Sequence, residues 1–568
     1  MIDPGRDHLG GCLIRRQRAA PSSIRRDQGR RLSRRRFVAG GVGLGGATLL
    51  AAGGQRSAWG ADATPAAGHD DHGAATAGAD GRAAAPEGIV GMAPWTSSDL
   101  VAPEVRRSVD GVLSTTLRVQ YATKEVGGYR LFVRTYEGTI PGPTLRVQPG
   151  DQLQIALIND LPPNRDVMPL AGDLPHHFNT TNFHFHGSHV SPGGISDNIF
   201  REMEPGQRYD IAIAIPPTHP RGTYWYHPHH HGGADIQIAS GMAGALIVEG
   251  DFADVPEIAN ATDQLLLLGQ GVFDPWRTVE SFDTLFSEGA TRFFTVNGQR
   301  EPIIRLRPGE VRRWRILHAG YQDDIFLALD GHALHPIARD GIALPRMDQP
   351  GICPCVAAAD DPGAVLLAPG QRVDVLVQAG EPGTYTLRAL PFDQGYPAPA
   401  GPVAHVVVAG EPLPMALPAV LPTAPLRTIR DEELTGARQL TFSRIAPEVD
   451  AAGQWQEFTF QIDGHGFDPD RVDQAVKLGA VEEWTVTNLD EHNDHVFHIH
   501  VNPFQVTKVN GQPVSEPVWL DTVVVPHNGS VTFRSRFLDF TGRCVLHCHM
   551  MNHEELGMMQ VVEVTGAG

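Results

Sequence analysis

The chain lacks an apolar run long enough for a membrane-spanning helix, which needs roughly 20 such residues. Its best candidate, residues 38–54, is shorter and is interrupted by several glycines. A permanent membrane anchor is therefore not expected. Any contact of the chain with a membrane during export would be temporary.

Basic residues are scarce, with 46 lysines and arginines against 65 aspartates and glutamates. Residues 1–63 hold twelve arginines and only four aspartates, a net charge of +8. Because the whole chain carries −19, the remainder carries about −27. Such a surface repels phosphate backbones, so nucleic acid is excluded as an expected partner.

Cysteine and methionine are also few, at five and eleven residues. No segment is rich in methionine. Cys12 falls in the N-terminal segment, whereas Cys353 and Cys355 form a CxC motif in a loop rich in proline, glycine and aspartate. This pair is interpreted as a disulfide partner or as free thiols, with a soft-metal site as the alternative.

The sequence repeats itself with a period of about 160 residues, which suits a domain rather than a solenoid unit. Short β-branched runs bounded by glycine and proline turns indicate an all-β fold of three consecutive sandwich domains. One element recurs at 141–160, 301–320 and, more loosely, 475–490. The predicted boundaries are 1–63 for an export signal, 64–89 for a disordered linker, 90–257, 258–412 and 430–568 for the domains, and 413–429 for a second linker.

A second repeated element distinguishes the three domains. It reads GTYWYH at 222–227, GTYTLR at 383–388 and GRCVLH at 542–547. His-Pro-His overlaps its end in the first domain and His-Cys-His in the third, whereas Arg388-Ala389-Leu390 stands there in the second. The second domain is therefore predicted to be a spacer and wall without metal ligands. Cys544 takes the position of a tyrosine in the sister domains and is predicted to lie in the core.

Histidines gather in four short motifs, each with an HxH step that places two imidazoles on one face of a strand. A lone HxH is usually a pair of core or surface histidines. Four motifs, one of them with a cysteine and a methionine, indicate metal binding. The motifs are His184-Phe185-His186, His227-Pro228-His229, the run from His495 through His498 to His500, and His547-Cys548-His549 followed by His553 and Met558.

The last motif indicates which metal is bound. Imidazoles with a thiolate and a distant thioether suit copper, in the blue-copper arrangement used for electron transfer. If 545–549 is a strand, Cys548 points to one face and both His547 and His549 to the other. One strand would then serve two metal sites, one on each face.

These motifs (HxHG, HxH, HxxHxH and HCHxxxHxxxxM) resemble the four copper-binding motifs of multicopper oxidases. The phrases SDN, GTYWYHPH and HCHMMNHEELGMM are similar to those of bacterial three-domain, laccase-like members, and the likeness spans about residues 140–562. The resemblance implies cupredoxin domains, which are Greek-key sandwiches. It also implies four copper ions, namely one type 1, one type 2 and a type 3 pair. The implied ligands are His495, Cys548, His553 and Met558 for type 1, His184 and His498 for type 2, and His186, His227, His229, His500, His547 and His549 for type 3.

The resemblance further implies a mechanism. The first and third domains would meet around a trinuclear cluster, and electrons would enter through the edge of His553 and pass along Cys548. Dioxygen would be reduced by four electrons to water. Asp197 and Glu554 match acidic residues near the cluster in related laccases and are predicted to relay protons.

The reducing substrate is expected to be a small molecule, a phenol or an aromatic amine, with dioxygen as the other partner. A periplasmic oxidase of cuprous or other metal ions is the first alternative, weakened by the lack of a methionine-rich segment. A non-enzymatic copper-binding envelope protein is the second, and the complete ligand set argues against it. A monomer is expected.

Residues 33–38 form a twin-arginine pattern before the glycine-rich apolar stretch. The pattern predicts recognition by the twin-arginine export machinery and a periplasmic or secreted protein. Such export carries folded proteins, which suits a chain whose cofactor is seated before or soon after transport.

Overall fold

The structure is a computed structural model that describes residues 96–165, 174–287, 289–347, 363–421, 426–445 and 459–566. Within these ranges it contains 31 β-strands, four α-helices of four to six residues and one 3-10 helix. The predicted all-β fold is confirmed. No helix in these ranges is long and apolar enough to cross a membrane. The predicted export signal, the 64–89 linker, Cys353 and Cys355 lie outside the described residues.

The first sandwich pairs a sheet of order β1-β4-β9-β8-β6 with one of order β3-β2-β5-β7. Leu153, Ile155 and Leu157 alternate with more exposed residues along β5 and are buried between the sheets, as the two-residue period of a strand requires. The elements are β1 (Val105–Arg107), β2 (Val112–Val126), β3 (Tyr129–Tyr136), β4 (Thr144–Val147), β5 (Gln152–Asn159), β6 (His184–His186), β7 (Arg208–Ala214), β8 (Gly222–His227), α1 (Ala234–Ala239) and β9 (Gly244–Val248).

The second sandwich pairs sheets of order β11-β10-β13-β18-β15-β16 and β12-β20-β19-β14-β17. Trp314 and Val375 lie fully buried in its core. The elements are α2 (Pro256–Ala259), β10 (Thr262–Phe273), α3 (Phe282–Phe286), β11 (Thr291–Val296), β12 (Ile303–Leu306), β13 (Val311–His318), β14 (Ile325–Leu329), β15 (His335–Arg339), β16 (Ile342–Ala343), β17 (Val365–Leu367), β18 (Arg372–Gln378), β19 (Gly383–Leu390) and β20 (Gly401–Val408).

The third sandwich pairs sheets of order β22-β21-β24-β29-β26-β27 and β23-β31-β30-β25-β28. Its core holds Trp484 and Phe533 and also includes the side chain of Cys548. The elements are the 3-10 helix (Asp431–Glu433), β21 (Gly436–Ile445), β22 (Thr459–Ile462), β23 (Gln474–Lys477), β24 (Ala480–Asn488), β25 (His495–Ile499), β26 (Phe504–Val509), β27 (Gln512–Leu520), β28 (Thr522–Val525), β29 (Ser530–Phe537), β30 (Gly542–Cys548), α4 (Met551–Glu555) and β31 (Met559–Thr565).

One four-strand arrangement occurs in all three sandwiches. It comprises one parallel pair followed by two antiparallel pairs, in the orders β4-β9-β8-β6, β12-β20-β19-β14 and β23-β31-β30-β25. The second repeated element of the sequence supplies β8, β19 and β30. The internal repeat is thus a repeat of structure, while the predicted domain boundaries stay predictions.

The register of this repeat separates the second sandwich from the other two. His184 pairs with His227 in the first, and His498 pairs with His547 in the third. The corresponding pair in the second is Ala328 and Arg388. Two sandwiches therefore carry imidazoles on equivalent strands, and the one between them in sequence does not.

Candidate metal centres

The eleven histidine and cysteine residues of the four motifs converge in space. They form four groups of three, two of which share His186, and within each group the ligand atoms lie within 4.8 Å of one another. All eleven are buried. The groups are His495, Cys548 and His553; His184, His186 and His498; His186, His227 and His549; and His229, His500 and His547.

The group around Cys548 lies inside the third sandwich. The Cys548 Sγ atom is 3.7 Å from His495 Nδ1 and 3.5 Å from His553 Nδ1, and these two nitrogens are 2.9 Å apart. The backbone N–H of Val496 donates to the sulfur at 3.3 Å. Burial raises the pKa of the Cys548 thiol to about 12 and lowers that of His553. A bound cation would reverse the effect on the thiol, because a coordinating thiol is deprotonated.

The segment after Cys548 folds back on this group. The short helix α4 carries His553, and Gly557 ends it with a positive φ of 108°. The backbone of Met558 then accepts the N–H of Cys548 at 3.0 Å and donates to the carbonyl of His553 at 2.9 Å. Met558 is fully buried in the same core cluster as Cys548. The turn thus brings the thioether residue back to the strand that carries the thiol.

His553 itself is buried, with only 4% of its surface exposed, and Phe460 stacks on its ring at 3.9 Å. His495 and Cys548 are 0% exposed, so His553 is the most exposed residue of its group. The strand β22, which has no recognisable motif, supplies the aromatic cover. Phe460 is itself only 2% exposed, so this cover is part of the buried core.

His229, His500 and His547 form the group whose chemistry is most constrained. The Nε2 atom of His229 lies 3.2 Å from Nε2 of both His547 and His500. One carboxylate oxygen of Glu554 lies 2.9 Å from Nδ1 of His547, and the other lies 3.3 Å from Nδ1 of His229. A neutral imidazole has one N–H, and the carboxylate draws it to Nδ1. The Nε2 lone pairs therefore face one another, an arrangement that a cation stabilises.

The group of His186, His227 and His549 has the same character. The Nε2 atom of His549 is 3.0 Å from Nδ1 of His186. The Nδ1 atom of His227 lies 2.9 Å from the Pro228 carbonyl, so it carries the proton, and burial lowers the pKa of this imidazole to about 3. Among the described residues, Nε2 of His227 has no hydrogen-bond partner. A buried imidazole nitrogen without a partner is a metal-ligand candidate.

His184 and His498 complete the larger assembly. Nδ1 of His498 donates to the Asp521 carbonyl at 2.7 Å, and Nδ1 of His184 lies 3.1 Å from a carboxylate oxygen of Asp197. The Nε2 atoms of both imidazoles are buried and have no hydrogen-bond partner in the described part of the chain. Across the boundary between sandwiches, His184 stacks on His500 at 3.7 Å. Eight imidazoles from two sandwiches therefore share one buried volume.

This donor set fits copper. Burial together with the neighbouring imidazoles lowers the pKa of His184, His498 and His500 well below the usual value, so neutral ligands are favoured. Neutral imidazole suits copper, and a thiolate with two imidazoles and a nearby methionine is typical of a blue-copper centre. The two kinds of site are covalently adjacent, because Cys548 stands between His547 and His549 in sequence.

The two predicted proton relays both touch these imidazoles. Asp197 is buried, contacts Nδ1 of His184 and accepts the backbone N–H of Phe185 at 2.9 Å. Burial raises the pKa of Asp197 to about 8, although the N–H of Phe185 opposes the rise. Burial also acts to raise the pKa of Glu554, but the contacts with His229 and His547 outweigh it and lower the value to about 2. Each carboxylate thus has direct contact with the larger assembly.

Three contacts from outside the motifs were missing from the sequence interpretation. Asp521 contacts His186, Trp225 stacks on His227 at 4.2 Å, and Gly370 of the second sandwich packs against His186 and His549. None of them belongs to a histidine motif. Only Trp225 lies in a stretch that the sequence analysis singled out, the repeated GTYWYH element.

The histidines beside the motifs serve other contacts. His189 bridges the Val501 carbonyl and Asp539 at 2.8 Å each, which ties the first sandwich to the third. His230 lies 3.2 Å from Glu202. Neither histidine belongs to one of the four ligand groups.

Two family models match the chain, both described as "Multicopper oxidase", over residues 175–252 and 442–567. Among curated proteins, a multicopper oxidase from Staphylococcus aureus is 24% identical over 81% of this chain and 90% of its own length. A laccase from Bacillus subtilis is 23% identical over 76% of this chain and 90% of its own length.

Solved structures show the same fold. The structure described as "Multicopper oxidase from Campylobacter jejuni: a metallo-oxidase" superposes with a TM-score of 0.67. Its sequence is 24% identical, and the match covers 86% of this chain and all of that one. The three sandwiches are accordingly cupredoxin-like. The chain is thus similar to multicopper oxidases in two matched segments and in overall fold, and its buried imidazole and thiol groups fit a laccase-like enzyme that uses copper and takes dioxygen as electron acceptor.

Proposed function

We propose that the enzyme couples one-electron oxidation of phenols or aromatic amines to the four-electron reduction of dioxygen to water. One observation carries this proposal. A cysteine-containing group suited to accepting single electrons is joined through one strand to a larger assembly of eight imidazoles. The first domain supplies half of these imidazoles and the third domain the other half.

Four copper ions are proposed for these groups. His495, Cys548, His553 and Met558 would hold type 1 copper, and His184 and His498 type 2. His186, His227 and His549 would hold one type 3 ion, and His229, His500 and His547 the other. When bound, copper supplies the redox chemistry of single-electron oxidation and dioxygen reduction.

The protein's own residues orient these ligands and supply protons. Nδ1 of His547 lies 2.9 Å from Glu554 and 3.1 Å from the Cys548 carbonyl, and these two acceptors favour the tautomer that points Nε2 into the assembly. Asp197 does the same for His184. We assign both as proton relays, since each is a buried carboxylate in contact with the assembly. Reduction of dioxygen to water consumes protons there.

Phe460 stacks on His553 and is itself only 2% exposed, so the imidazole is sealed from water. An organic donor at the surface would pass its electron across this buried layer without displacing the ligand. No methionine-rich segment is present to collect cuprous ions.

A second candidate function, oxidation of metal ions, has one observation in its favour. Acidic residues surround the Cys548 group. Asp490 lies 3.8 Å from His495, and the buried Asp494 precedes His495 in sequence. Asp324 is also buried, and burial followed by the charge of Asp494 raises its pKa well above the usual value. These carboxylates would attract a cation.

Oxygen uptake by the copper-loaded protein separates the two candidates. The proposal expects a higher kcat/KM with a simple phenol such as 2,6-dimethoxyphenol than with cuprous ion. A higher kcat/KM with cuprous ion than with the phenol would instead indicate that the enzyme oxidises metal ions. Asp494→Asn is the matched variant, because it should lower kcat/KM for cuprous ion and leave that for the phenol within about twofold.

We further propose export by the twin-arginine machinery and action as a monomer in the periplasm or outside the cell. The pattern at 33–38 and the apolar stretch at 38–54 support this proposal. Replacing Arg34 and Arg35 with lysine should retain the protein in the cytoplasm, as cell fractionation would detect. Periplasmic protein at the original level would refute the assignment.

A further inference from the structure

The second sandwich, which holds no proposed ligand, reaches the imidazole assembly through one tight turn. This turn joins β17 to β18 and contains Gly370, whose φ of 89° is positive. A Cβ atom at Gly370 would lie 2.9 Å from ring carbons of both His186 and His549. Only glycine allows so close an approach, so the turn forms part of the wall of the assembly.

Arg372, two residues further on, makes the most extensive polar contact of this turn. Its guanidinium group binds Asp521 through two hydrogen bonds of 2.7 and 2.6 Å and also donates to the Thr223 carbonyl at 3.1 Å. The side chains of Arg372 and Asp521 are 0% and 3% exposed. Three domains therefore meet at one guanidinium group, since Thr223 belongs to the first and Asp521 to the third.

Asp521 carries this contact on to the proposed ligands. Its Oδ1 atom lies 3.2 Å from Nε2 of His186, and its backbone carbonyl accepts Nδ1–H of His498 at 2.7 Å. The Thr522 hydroxyl lies 3.1 Å from each of these nitrogens and donates to Asp521 Oδ1 at 2.8 Å. Asp521 thus orients one imidazole of the first domain through its carboxylate and one of the third through its backbone carbonyl.

A second buried carboxylate holds the two segments together. Asp340 Oδ1 accepts the backbone N–H of Arg372 at 3.0 Å, and its Oδ2 accepts those of Asp521 and Thr522 at 3.2 and 3.3 Å. The start of β18 and the start of β28 are therefore bound to the same side chain. The position of Asp521 is fixed at its backbone as well as at its side chain.

The glycine of the first motif has its explanation here. Gly187 has a φ of 78°, and a Cβ atom there would overlap both the guanidinium group of Arg372 and the carboxylate of Asp521. The chain must turn away after His186 because the ion pair fills the adjacent space. The glycine of the HxHG motif is therefore required by the ion pair of Arg372 and Asp521, which the second and third domains contribute.

We propose that Arg372 is a positioning residue for the trinuclear cluster. Acting through Asp521, it fixes the imidazoles of His186 and His498 and makes the retention of copper at the boundary of the first and third domains depend on the second. Partners that orient metal ligands commonly contribute ten- to hundredfold to metal affinity or activity. The Cys548 group lies on the opposite face of β30 and does not depend on this contact.

The test is Arg372→Lys, which keeps the charge and loses the two-pronged geometry. Copper per chain, the type 2 electron paramagnetic resonance signal and the blue absorption band are measured on the copper-loaded protein. We expect the type 2 signal to shift or weaken and oxygen uptake to fall about tenfold or more, while the blue band stays.

Arg134→Lys is the matched control. Arg134 makes a buried two-pronged pair with Glu280 at 3.1 and 3.0 Å, away from the imidazoles. The Arg134→Lys protein should lose about as much thermal stability as the Arg372→Lys protein and should keep the type 2 signal. If Arg372→Lys does not fold, Asp521→Asn serves as the second variant, because it keeps the shape and removes the charge pair.

Two results would overturn the proposal. One is a type 2 signal and copper content in the Arg372→Lys protein equal to those of the parent, whatever its melting temperature. The other is equal loss of the signal in the Arg134→Lys control, which would reduce the effect to general destabilisation. A selective loss in Arg372→Lys or Asp521→Asn would sustain it.

Discussion

The Nε2 atoms of His229 and His547 lie 3.2 Å apart in a fully buried site. Glu554 lies 2.9 Å from Nδ1 of His547 and 3.3 Å from Nδ1 of His229, which favours protons on both Nδ1 atoms and lone pairs on both Nε2 atoms. A hydrogen bond does not join two lone pairs, whereas a cation binds both. Bound copper should therefore stabilise the folded chain.

Removal of copper should lower thermal stability markedly. A ligand that binds only the folded state stabilises it by about 2.7 kcal/mol at a free concentration a hundred times its Kd. Several tightly bound ions should thus raise the melting temperature by many degrees. Differential scanning calorimetry of the copper-loaded protein and of the chelator-treated protein measures the difference. Equal melting temperatures would contradict the arrangement described for His229 and His547.

Replacement of Cys548 by serine should abolish the blue band and reduce oxygen uptake to background, because the thiolate supplies both the colour and the covalent link to His547 and His549. Cys544→Ser is the control on the same strand. Cys544 is buried in the core, so the exchange should cost about 1–2 kcal/mol of stability and keep the colour. Visible absorption and oxygen uptake check both variants. If Cys544→Ser lost the colour and Cys548→Ser kept it, Cys544 rather than Cys548 would be the copper ligand.

Met558→Leu should raise the type 1 reduction potential, since the axial ligand tunes it and leucine does not bind copper. The neighbouring Met559 packs on Ile199 and Val545 instead, so Met559→Leu should leave the potential unchanged. Redox titration of the blue band measures both. A potential that falls or stays constant in Met558→Leu would mean that Met558 is not the axial ligand.

Exchange of Glu554 for glutamine should slow dioxygen reduction by about 10²- to 10⁴-fold, the usual contribution of a positioned proton donor. Asp197→Asn should act in the same direction. Copper content and the blue band should stay close to those of the parent protein. Single-turnover reoxidation of the reduced enzyme by dioxygen isolates this step from substrate oxidation.

Glu555→Gln provides the control for this experiment. Glu555 is equally buried on the same helix, but it accepts the backbone N–H groups of Gly232 and Ala234. Its exchange should change stability and leave the reoxidation rate within a few-fold. Similar slowing in both variants would assign the effect to packing of the helix rather than to proton supply.

The sequence predicted the all-β fold and the repeat because both depend on local patterns. Alternation along a strand is enough to separate Cys548 from His547, although β30 ends at Cys548 and the predicted strand ran to His549. The lack of a ligand motif in the second domain could also be predicted, since Arg388 stands where the other domains have one.

The contacts between domains were not predictable in this way. Arg372 and Asp521 are 149 residues apart, and neither stands in a motif. The stacking of Phe460 on His553 is likewise a long-range contact, and no motif marks Phe460. Ligand types follow from local spacing, whereas the residues that orient or shield the ligands depend on how the domains pack.

Both kinds of site should hold copper at once. The most direct measurement is the optical and electron paramagnetic resonance spectrum of the copper-loaded protein, recorded while oxygen uptake with a phenol is followed. We predict a blue band from the Cys548 group, a near-ultraviolet band and a type 2 signal from the imidazole assembly, and oxygen uptake without release of peroxide. A colourless protein at full copper loading would contradict it.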